Sequence, residues 1–352
     1  MGTVAERLRD RIREQGAIPF SAFMEEALYG EDGYYRRADF PVGAGGDFIT
    51  APSLSPLFGG CTARLLERLA GKMLGPMEML EVGYGDATHL RQVASQAIGA
   101  RLCGVDRNGR GAPEPIATWR DLAPIAPGSV RGLVFSYELF DALPIRRVVG
   151  SAEGPRELFV TLADDGSFAY REAALASPGP GDELRDVVAR LLPGQVADVS
   201  PGWAPLYREL ARRLGAGLVV TCDYGFAEGR LYDARARPHG TLAAYRRHRV
   251  HRDALAEPGM QDLTAHVDFD LLRAVGEAEG LETIAVTRLA NWLVACGLFR
   301  DLDDAEPRAR AEAMALLDLE GPGVETLVLV QSRGLGRADV AALFDVPLLA
   351  AR

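Results

Sequence analysis

Short apolar runs that alternate with helix-like segments constrain the fold of this 352-residue chain more than any other feature. From residue 77 onward these runs read MEMLEV, ARLCGVD, RGLVFS, GLVVTCDYG, ETIAVTR and ETLVLVQS. Runs of this kind are typical of strands buried on both faces of a mostly parallel sheet. We therefore predict an α/β fold, in which the last two runs, residues 282–288 and 325–332, form an antiparallel closing pair.

The segments around this pattern predict further parts of the chain. Residues 4–14, 20–29 and 55–74 have helical periodicity and indicate an N-terminal helical arm. Residues 145–200 contain shorter alternating runs and indicate a β-rich insertion that covers the sheet edge. The predicted organisation is an arm with an ordered loop at 1–75, the sheet domain at 76–335 and a C-terminal tail at 336–352.

Composition narrows the classes of partner and compartment. The net charge of -10 argues against nucleic acid, because phosphate contacts require clustered lysine and arginine. No apolar run approaches the roughly 20 residues that span a bilayer, and residues 1–16 lack the apolar core of a secretory signal. The cysteines form no closely spaced pair and suggest neither a zinc site nor a disulfide framework: Cys61, Cys103, Cys222 and Cys296. We expect a cytoplasmic protein without a metal or a membrane partner.

The stretch MLEVGYGDATHL, residues 79–90, resembles a nucleotide-binding turn without the third glycine of a dinucleotide site, since that position is Thr88. Glu81 lies badly beside a pyrophosphate but well beside a cation. S-adenosylmethionine carries an ammonium and a sulfonium but no phosphate, and Asp106 follows about 20 residues later, where an acid accepts ribose hydroxyls. These residues favour S-adenosylmethionine, and the alternative is a tight strand-to-helix turn without a ligand.

A series of longer segments then identifies a family. These segments are IPFSAFMEEALYGEDGYYRR, GDFITAPSLSPLFG, SYELFDALP, CDYGF, GTLAAYRRHR and PGMQDLTAHVDF. In their order and in their amino-acid sequence they resemble the motifs of the MidA-like S-adenosylmethionine-dependent methyltransferases. This is the family of a mitochondrial complex I assembly factor that methylates arginine. The resemblance runs from about residue 18 to about residue 299. It implies a class I methyltransferase fold, Rossmann-like, with S-adenosyl-L-methionine as cofactor.

The resemblance also implies roles for individual residues. The acid and glycines of the turn hold the methionine part of the cofactor, the acid after the second strand holds the ribose, and the GDFIT block closes over the cofactor. The residues of the turn are Glu81, Gly83 and Gly85, and the acid that holds the ribose is Asp106. The residues of the GDFIT block are Asp47 and Thr50. The chain departs from the family at Tyr137, where asparagine is common, and in the stretch RNGRGAPEPIATW after Asp106.

Glu138 and Asp141 are the first candidates for catalytic residues. Methyl transfer from a sulfonium is an in-line displacement, so the protein chiefly positions the reactants and excludes water. A guanidinium acceptor additionally needs carboxylates that orient it and balance its charge, which these two acids supply. The alternative is that they cap a helix or stabilise the loop after a strand.

His266 is the third candidate, as a base for a hydroxyl, amine or acid acceptor. The alternative is a histidine that fixes a loop by hydrogen bonds. The flanking Asp262 and Asp268 either orient the imidazole or cap the helix that begins near Phe269.

Further residues have both a site interpretation and a structural one. Asp223 and Tyr224 follow a core strand and are expected to face the pocket, whereas Tyr34 and Tyr35 either form aromatic walls for a cation or pack the arm. The basic run YRRHRVHR, residues 245–252, either attracts an anionic partner or forms a solvated face.

The leading hypothesis is a methyltransferase that acts on a nitrogen, namely that of a protein arginine. The alternatives are a small-molecule N- or O-methyltransferase, favoured by Tyr137 and the altered stretch after Asp106, and a non-catalytic scaffold that keeps the fold. A homodimer formed through the insertion is compatible with the sequence but not required by it.

Overall fold

The computed structural model describes residues 2–37, 50–175, 184–246, 249–251, 253–302, 305–318 and 321–351. The strands within these residues are β1 (Ile18–Pro19), β2 (Glu78–Val82), β3 (Arg101–Val105), β4 (Ala117–Trp119), β5 (Val130–Tyr137), β6 (Arg146–Val149), β7 (Arg156–Leu162), β8 (Phe168–Ala174), β9 (Val196–Val199), β10 (Leu214–Phe226), β11 (Ala243–Arg246), β12 (Arg249–His251), β13 (Asp262–Thr264), β14 (Val267–Asp268), β15 (Glu282–Arg288) and β16 (Thr326–Arg333).

The α-helices in the same ranges are α1 (Val4–Gln15), α2 (Phe20–Tyr29), α3 (Ala51–Leu54), α4 (Leu57–Ala70), α5 (Thr88–Ala94), α6 (Leu184–Val188), α7 (Trp203–Arg213), α8 (Phe269–Ala278), α9 (Leu289–Ala295), α10 (Leu298–Leu302), α11 (Pro307–Ala315), α12 (Pro322–Glu325) and α13 (Arg337–Ala341). Short 3-10 turns lie at Tyr34–Arg36 and Arg230–Tyr232. The predicted N-terminal helices correspond to α1, α2 and α4. None of the helices in the described part of the chain is long and apolar enough to cross a membrane.

The main sheet has the strand order β15-β16-β10-β5-β2-β3-β4, and β14 pairs with β10. Within this order five strands run parallel to one another: β10, β5, β2, β3 and β4. In contrast, β16 is antiparallel to both β10 and β15. The predicted α/β fold with an antiparallel closing pair is therefore confirmed. Within that pair only β16 is reversed, because β15 returns to the direction of the parallel strands.

The parallel register brings the carboxyl ends of four strands to one edge of the main sheet. Val82 of β2 lies opposite Val105 of β3 and Ser136 of β5, and Tyr137 of β5 lies opposite Cys222 of β10. The loops that follow these strands therefore meet, as ligand-binding loops do in open α/β sheets.

Both faces of the main sheet are covered, which explains why its strands are apolar throughout. On one face α4, α5 and α9 pack around Phe58, Phe135 and Trp292. On the other face α7 and α8 enclose Trp203 and Tyr207. Burial of each such side chain stabilises the fold by about 1.5–3 kcal/mol relative to exposure.

The strands predicted within residues 145–200 are present as β6, β7, β8 and β9, and they form a separate sheet with β1. This second sheet packs against α1 and α2 through a cluster that includes Ile18, Phe20, Phe23 and Val160. The N-terminal helices thus share a core with the insertion. A third sheet, ordered β12-β11-β13, adds Leu263 to the same cluster. The division into arm, methyltransferase domain and tail remains a proposal.

Candidate functional site

A cavity of about 490 Å³ lies at the carboxyl edge of the main sheet. Its size falls in the range of small-molecule and cofactor sites. The loops after β2, β3 and β5 line it, together with Tyr224 of β10 and parts of the N-terminal arm and the third sheet. The lining includes the predicted site residues Thr50, Glu81, Gly83, Gly85, Asp106, Glu138, Asp141 and His266. Asp47 lies outside the described residues.

The turn after β2 brings its backbone close to the cavity. Gly83 has φ +80°, and a Cβ atom there would lie 2.8 Å from the Leu139 side chain of the loop after β5. Only glycine adopts this conformation at such a distance without strain. The turn ends at Ala87, which is also left-handed with φ +62° and directly precedes α5. The two loops therefore pack together as one wall of the cavity.

Asp106 joins the turn after β2 to the loop after β3. The Gly85 N–H donates to its Oδ2 at 3.0 Å, and the Asn108 N–H donates to its Oδ1 at 2.7 Å. Burial raises the pKa of Asp106, and the hydrogen bonds from these amides oppose that rise. A carboxylate oxygen can accept more than one hydrogen bond, so Asp106 can hold this wall and still accept ribose hydroxyls.

Glu81 ends up in a more enclosed position than the sequence predicts. It is 3% exposed, and its Oε2 lies 3.0 Å from Nδ1 of His89 on α5. His89 was not predicted as a site residue, although it also lines the cavity. No periodicity in the sequence marks it, because the contact depends on how α5 folds back beneath β2.

The loop after β5 has a strained backbone at Glu138, whose φ is +47°. Positive φ outside glycine costs on the order of 1–3 kcal/mol and occurs preferentially at functional sites. Asp223 holds the strained turn, since its Oδ2 accepts from the N–H groups of Leu139 and Phe140 at 3.1 and 2.8 Å. The prediction that Asp223 faces the pocket is therefore wrong, because its side chain is fully buried against the backbone of this loop. Tyr224, in contrast, lines the cavity as predicted.

The two predicted acids of this loop carry unusual electrostatics. Burial raises the pKa of Glu138 to about 8, with hydrogen bonds from Tyr137 and Tyr224 opposing the rise and nearby Asp223 adding to it. The pKa of Asp141 is also raised, by burial and by the surrounding carboxylates. In the absence of a cation, burial therefore favours the protonated form of Glu138 at neutral pH and shifts the pKa of Asp141 in the same direction.

One oxygen of each acid lacks a partner. Glu138 Oε1 and Asp141 Oδ1 are buried and accept no hydrogen bond from the described residues. Buried polar atoms in native proteins nearly always have partners, and an unpaired buried carboxylate is costly. The pair therefore indicates a missing donor, such as a bound cationic group.

Tyrosines from the arm approach these acids. The Tyr35 hydroxyl donates to Asp262 Oδ1 at 2.8 Å, and the Tyr29 ring stacks on Tyr35 with centroids 5.5 Å apart. Both line the cavity, which supports the aromatic-wall interpretation for Tyr35. Tyr34 instead is fully buried in the arm. Tyr29 was not predicted, because its approach depends on contacts between distant segments.

His266 lies in the cavity wall with its imidazole in contact with the edge of Phe226, at a centroid distance of 5.1 Å. Burial and the charge of Arg237 lower its pKa to about 4, so it is neutral at physiological pH. Its Nδ1 has no hydrogen-bond partner in the described part of the chain. Asp268 does not orient the imidazole: its Oδ1 accepts from Asp270 and Leu271 N–H groups and caps α8.

Tyr137, the departure from the family pattern, connects the arm to the acid-bearing loop. Its hydroxyl oxygen accepts from the Ala51 N–H at 3.1 Å, at the start of α3. The preceding Thr50 caps α3 and lines the cavity. The same hydroxyl hydrogen bonds to Glu138. Tyr137 thus couples the segment over the cavity to a candidate acceptor-binding acid.

We expect Tyr137→Phe to weaken S-adenosylhomocysteine binding about fivefold, because loss of one buried hydrogen bond costs about 1 kcal/mol. It should also raise the pKa of Glu138, since a hydrogen bond to the carboxylate is lost. Calorimetry and the pH dependence of activity measure these effects. Tyr170→Phe on the second sheet is the control, and identical behaviour of the two variants would contradict the coupling.

The basic run at 245–252 is only partly described. Arg246 pairs with Glu257, and Arg249 and His251 are exposed on β12. Arg247, His248 and Arg252 lie outside the described residues. The described part fits a solvated basic face, although Tyr245 lines the cavity.

Comparison with known proteins agrees with the geometry in indicating a methyltransferase. The profile of a family described as "Putative S-adenosyl-L-methionine-dependent methyltransferase" matches residues 78–287. The chain is 29% identical over 327 residues to the protein arginine methyltransferase NDUFAF7 homolog, mitochondrial, of Drosophila melanogaster, covering 79% of this chain and 71% of the relative. It is 27% identical over 320 residues to the human mitochondrial protein arginine methyltransferase NDUFAF7, covering 76% and 68%.

Two solved structures from Burkholderia thailandensis resemble the whole chain. One, bound to S-adenosyl-homocysteine, has a TM-score of 0.84 at 28% identity and covers 95% of this chain and 92% of its own. The other, a native structure, has a TM-score of 0.80 at 27% identity and covers 98% and 95%. A protein of the same architecture therefore binds the demethylated form of the predicted cofactor.

These relatives also correct one prediction. The expectation of a cytoplasmic location is contradicted, because the curated relatives are named as mitochondrial proteins. The expectation rested on scattered cysteines and on the lack of an apolar signal segment. Neither feature distinguishes the two compartments, since mitochondrial targeting segments are amphipathic rather than apolar.

Proposed function

The chain belongs to this family of S-adenosyl-L-methionine-dependent methyltransferases, and from that premise we propose that its acceptor is an arginine guanidinium of a protein. The predicted family, enzyme class and cofactor are confirmed by the family match and by the similar structure with S-adenosyl-homocysteine bound. The acceptor proposal rests on one observation above all. The unpartnered oxygens of Glu138 and Asp141 lie in the wall of the cofactor cavity.

The residues of the cavity fit the cofactor. Gly83 and Gly85 permit close backbone approach, and we propose that they hold the methionine part together with Glu81. Asp106 would hold the ribose, and Thr50 borders the cavity from the arm. When bound, S-adenosylmethionine supplies an electrophilic methyl group on its sulfonium. The chain has to align the acceptor nitrogen with that group and exclude water.

A guanidinium matches the cavity residues outside the cofactor-binding turn in charge and in hydrogen-bonding groups. It presents N–H donors in a planar fork, which matches acceptor oxygens on two carboxylates. Glu138 Oε1 and Asp141 Oδ1 are such oxygens. The rings of Tyr29, Tyr35 and Tyr224 line the same cavity, and a planar delocalised cation stacks favourably on aromatic faces. The name of the mitochondrial relatives supports the same acceptor class.

The proton balance assigns a second role to Glu138. The acceptor nitrogen gains a methyl group and loses one proton, while the sulfonium becomes a thioether. Binding of the guanidinium favours ionised Glu138, which would then accept a hydrogen bond from an N–H group of the acceptor. Because its pKa of about 8 lies near the working pH, Glu138 is suited to take up the released proton.

This assignment predicts a pH dependence. Because burial raises the pKa of Glu138, the carboxyl is protonated below about pH 8, and it then neither balances the charge of the guanidinium nor takes up a proton. Arginine keeps its proton throughout this range. We expect kcat/KM for the acceptor to rise with pH, about tenfold per unit at most, and to level above about pH 8. Because Glu138 also raises the pKa of Asp141, the rising part of the profile reports both acids rather than Glu138 alone. A flat profile between pH 6 and pH 9 would contradict the assignment.

A small-molecule acceptor is the second candidate, and His266 is the observation that favours it. A neutral imidazole with an unpartnered Nδ1 in the cavity wall can remove a proton from a hydroxyl or amine. Under this alternative, His266→Asn would abolish activity while Glu138→Gln would have little effect. The arginine proposal predicts the opposite order.

The direct test uses a methyl group labelled with heavy isotopes. The purified protein is incubated with labelled S-adenosylmethionine and a cell extract, and the products are separated into proteins and small molecules for mass spectrometry. We expect label on arginine side chains of one or a few proteins. Label on lysine, or only on small molecules, would overturn the proposal. Glu138→Gln protein in the same extract controls for endogenous enzymes.

Other predictions about partners are independent of this experiment. The absence of nucleic-acid and membrane partners remains a prediction from the sequence, and a homodimer remains compatible with the sequence without being required by it. Light scattering after size exclusion measures the oligomeric state. Electrophoretic retardation of nucleic acid measures whether the protein binds nucleic acid.

A further inference from the structure

A buried histidine lies beneath the cofactor cavity. His89 is 3% exposed, and both of its ring nitrogens have side-chain partners. Nδ1 lies 3.0 Å from Glu81 Oε2, and Nε2 lies 2.9 Å from Thr62 Oγ1. Three polar side chains thus form a continuous row from α4 of the arm to the acid at the end of β2.

The imidazole of His89 is held in one orientation by its surroundings. Its ring contacts the edge of Phe58 at a centroid distance of 5.1 Å and lies 4.6 Å from the Phe135 ring. Phe58 and Phe135 are themselves fully buried. In such an apolar environment a hydrogen bond to a carboxylate is strong, and leaving the carboxylate unpaired is expensive.

We propose that His89 is a positioning residue of the cofactor site, which holds one carboxylate oxygen of Glu81 so that the other is presented to the cationic methionine end of the cofactor. The proposal rests on cofactor binding and is independent of the identity of the acceptor. Thr62 fixes the far side of the imidazole. Because Thr62 belongs to α4, the arm and the glycine turn then support the same acid.

Substitutions at His89 and Thr62 distinguish a positioning role of His89 from a role in packing the core. Leucine has a similar volume to histidine but offers neither hydrogen bond, whereas the amide nitrogen of asparagine can replace Nδ1 as a donor to Glu81. Thr62→Val keeps the shape of the threonine side chain and removes only its hydroxyl. If His89 acts through Glu81, His89→Leu loses much more cofactor affinity than either His89→Asn or Thr62→Val.

Calorimetric titration of the full chain with S-adenosylhomocysteine tests this difference, and it needs no acceptor. We expect affinity to fall about tenfold or more in His89→Leu, about threefold in Thr62→Val and no more than about threefold in His89→Asn. Wild-type affinity in His89→Leu, or equal loss in His89→Leu and His89→Asn, would overturn the proposal.

A second measurement keeps the test decisive if His89→Leu does not fold. His89→Asn and Thr62→Val are then compared alone, each with its melting temperature. Tenfold weaker binding in His89→Asn than in Thr62→Val would overturn the proposal, because the asparagine retains the contact that matters. In the assay for methyl transfer, His89→Asn at saturating cofactor should have the kcat of the wild type and a higher KM only for the cofactor. Failure of the arginine proposal would leave all of these binding results unchanged.

Discussion

Replacing Glu138 by glutamine is expected to lower methyl transfer about 100-fold or more, while S-adenosylhomocysteine affinity stays within about twofold of the wild type. Glutamine keeps the size of the side chain but cannot balance the charge of a guanidinium or accept its proton. Glu138 sits on the loop after β5, and nothing in the wall formed by Gly85 and Asp106 depends on its carboxylate. Transfer is measured with the acceptor identified by isotope labelling, and binding is measured by calorimetry.

The control for this variant is Glu172→Gln, which neutralises an exposed acid on the second sheet. It should change neither property. Equal loss of transfer and of cofactor binding in Glu138→Gln would show instead that the strained turn at Glu138 needs its carboxylate for folding. Unchanged transfer would contradict the proposed role of Glu138 outright.

Replacing Asp106 by alanine is expected to weaken S-adenosylhomocysteine binding about 100-fold, since each hydrogen bond to a charged group contributes about 1.5–3 kcal/mol. The carboxylate has two duties: it would accept ribose hydroxyls, and it accepts the N–H groups of Gly85 and Asn108. Its loss therefore removes a ligand contact and loosens the turn after β2. Calorimetry with the purified variant measures the affinity.

The matched variants for this prediction are Asp106→Asn and Asp164→Ala. Asparagine keeps one acceptor oxygen and should give an intermediate affinity, whereas Asp164 lies in an exposed turn of the second sheet and should have no effect. A melting temperature for each protein separates loss of binding from loss of folding. Wild-type affinity in folded Asp106→Ala would remove Asp106 from the cofactor site.

The sheet and part of the site follow from sequence because their determinants are local. Strands buried on both faces are apolar throughout, which identifies β2, β3, β5 and β10 without any tertiary information. The ends of parallel strands then meet at one edge, so residues that follow the strands are placed together by topology alone. Glu81, Gly83 and Asp106 were predicted from the residues around the strand ends, whereas Glu138 was predicted from the resemblance to the family, and the structure places all of them on one cavity.

Other features depend on contacts between distant segments and leave no periodic signal. Whether an acid after a strand faces the cavity or binds backbone is decided by the conformation of the neighbouring loop, which explains the error at Asp223. His89 and Tyr29 reach the cavity through the packing of helices on the sheet. The two-residue strand β1 is too short to show alternation, so its addition to the second sheet was not predicted.

The central claim is that Glu138 and Asp141 bind a guanidinium beside the cofactor. The most direct measurement compares two peptides by calorimetry on protein saturated with S-adenosylhomocysteine. One is the peptide identified by isotope labelling, and the other carries citrulline, the neutral isostere, in place of the arginine. We expect at least about 30-fold tighter binding of the arginine peptide by the wild-type protein, and loss of that preference in Glu138→Gln. Equal binding of the two peptides by the wild-type protein would contradict this claim.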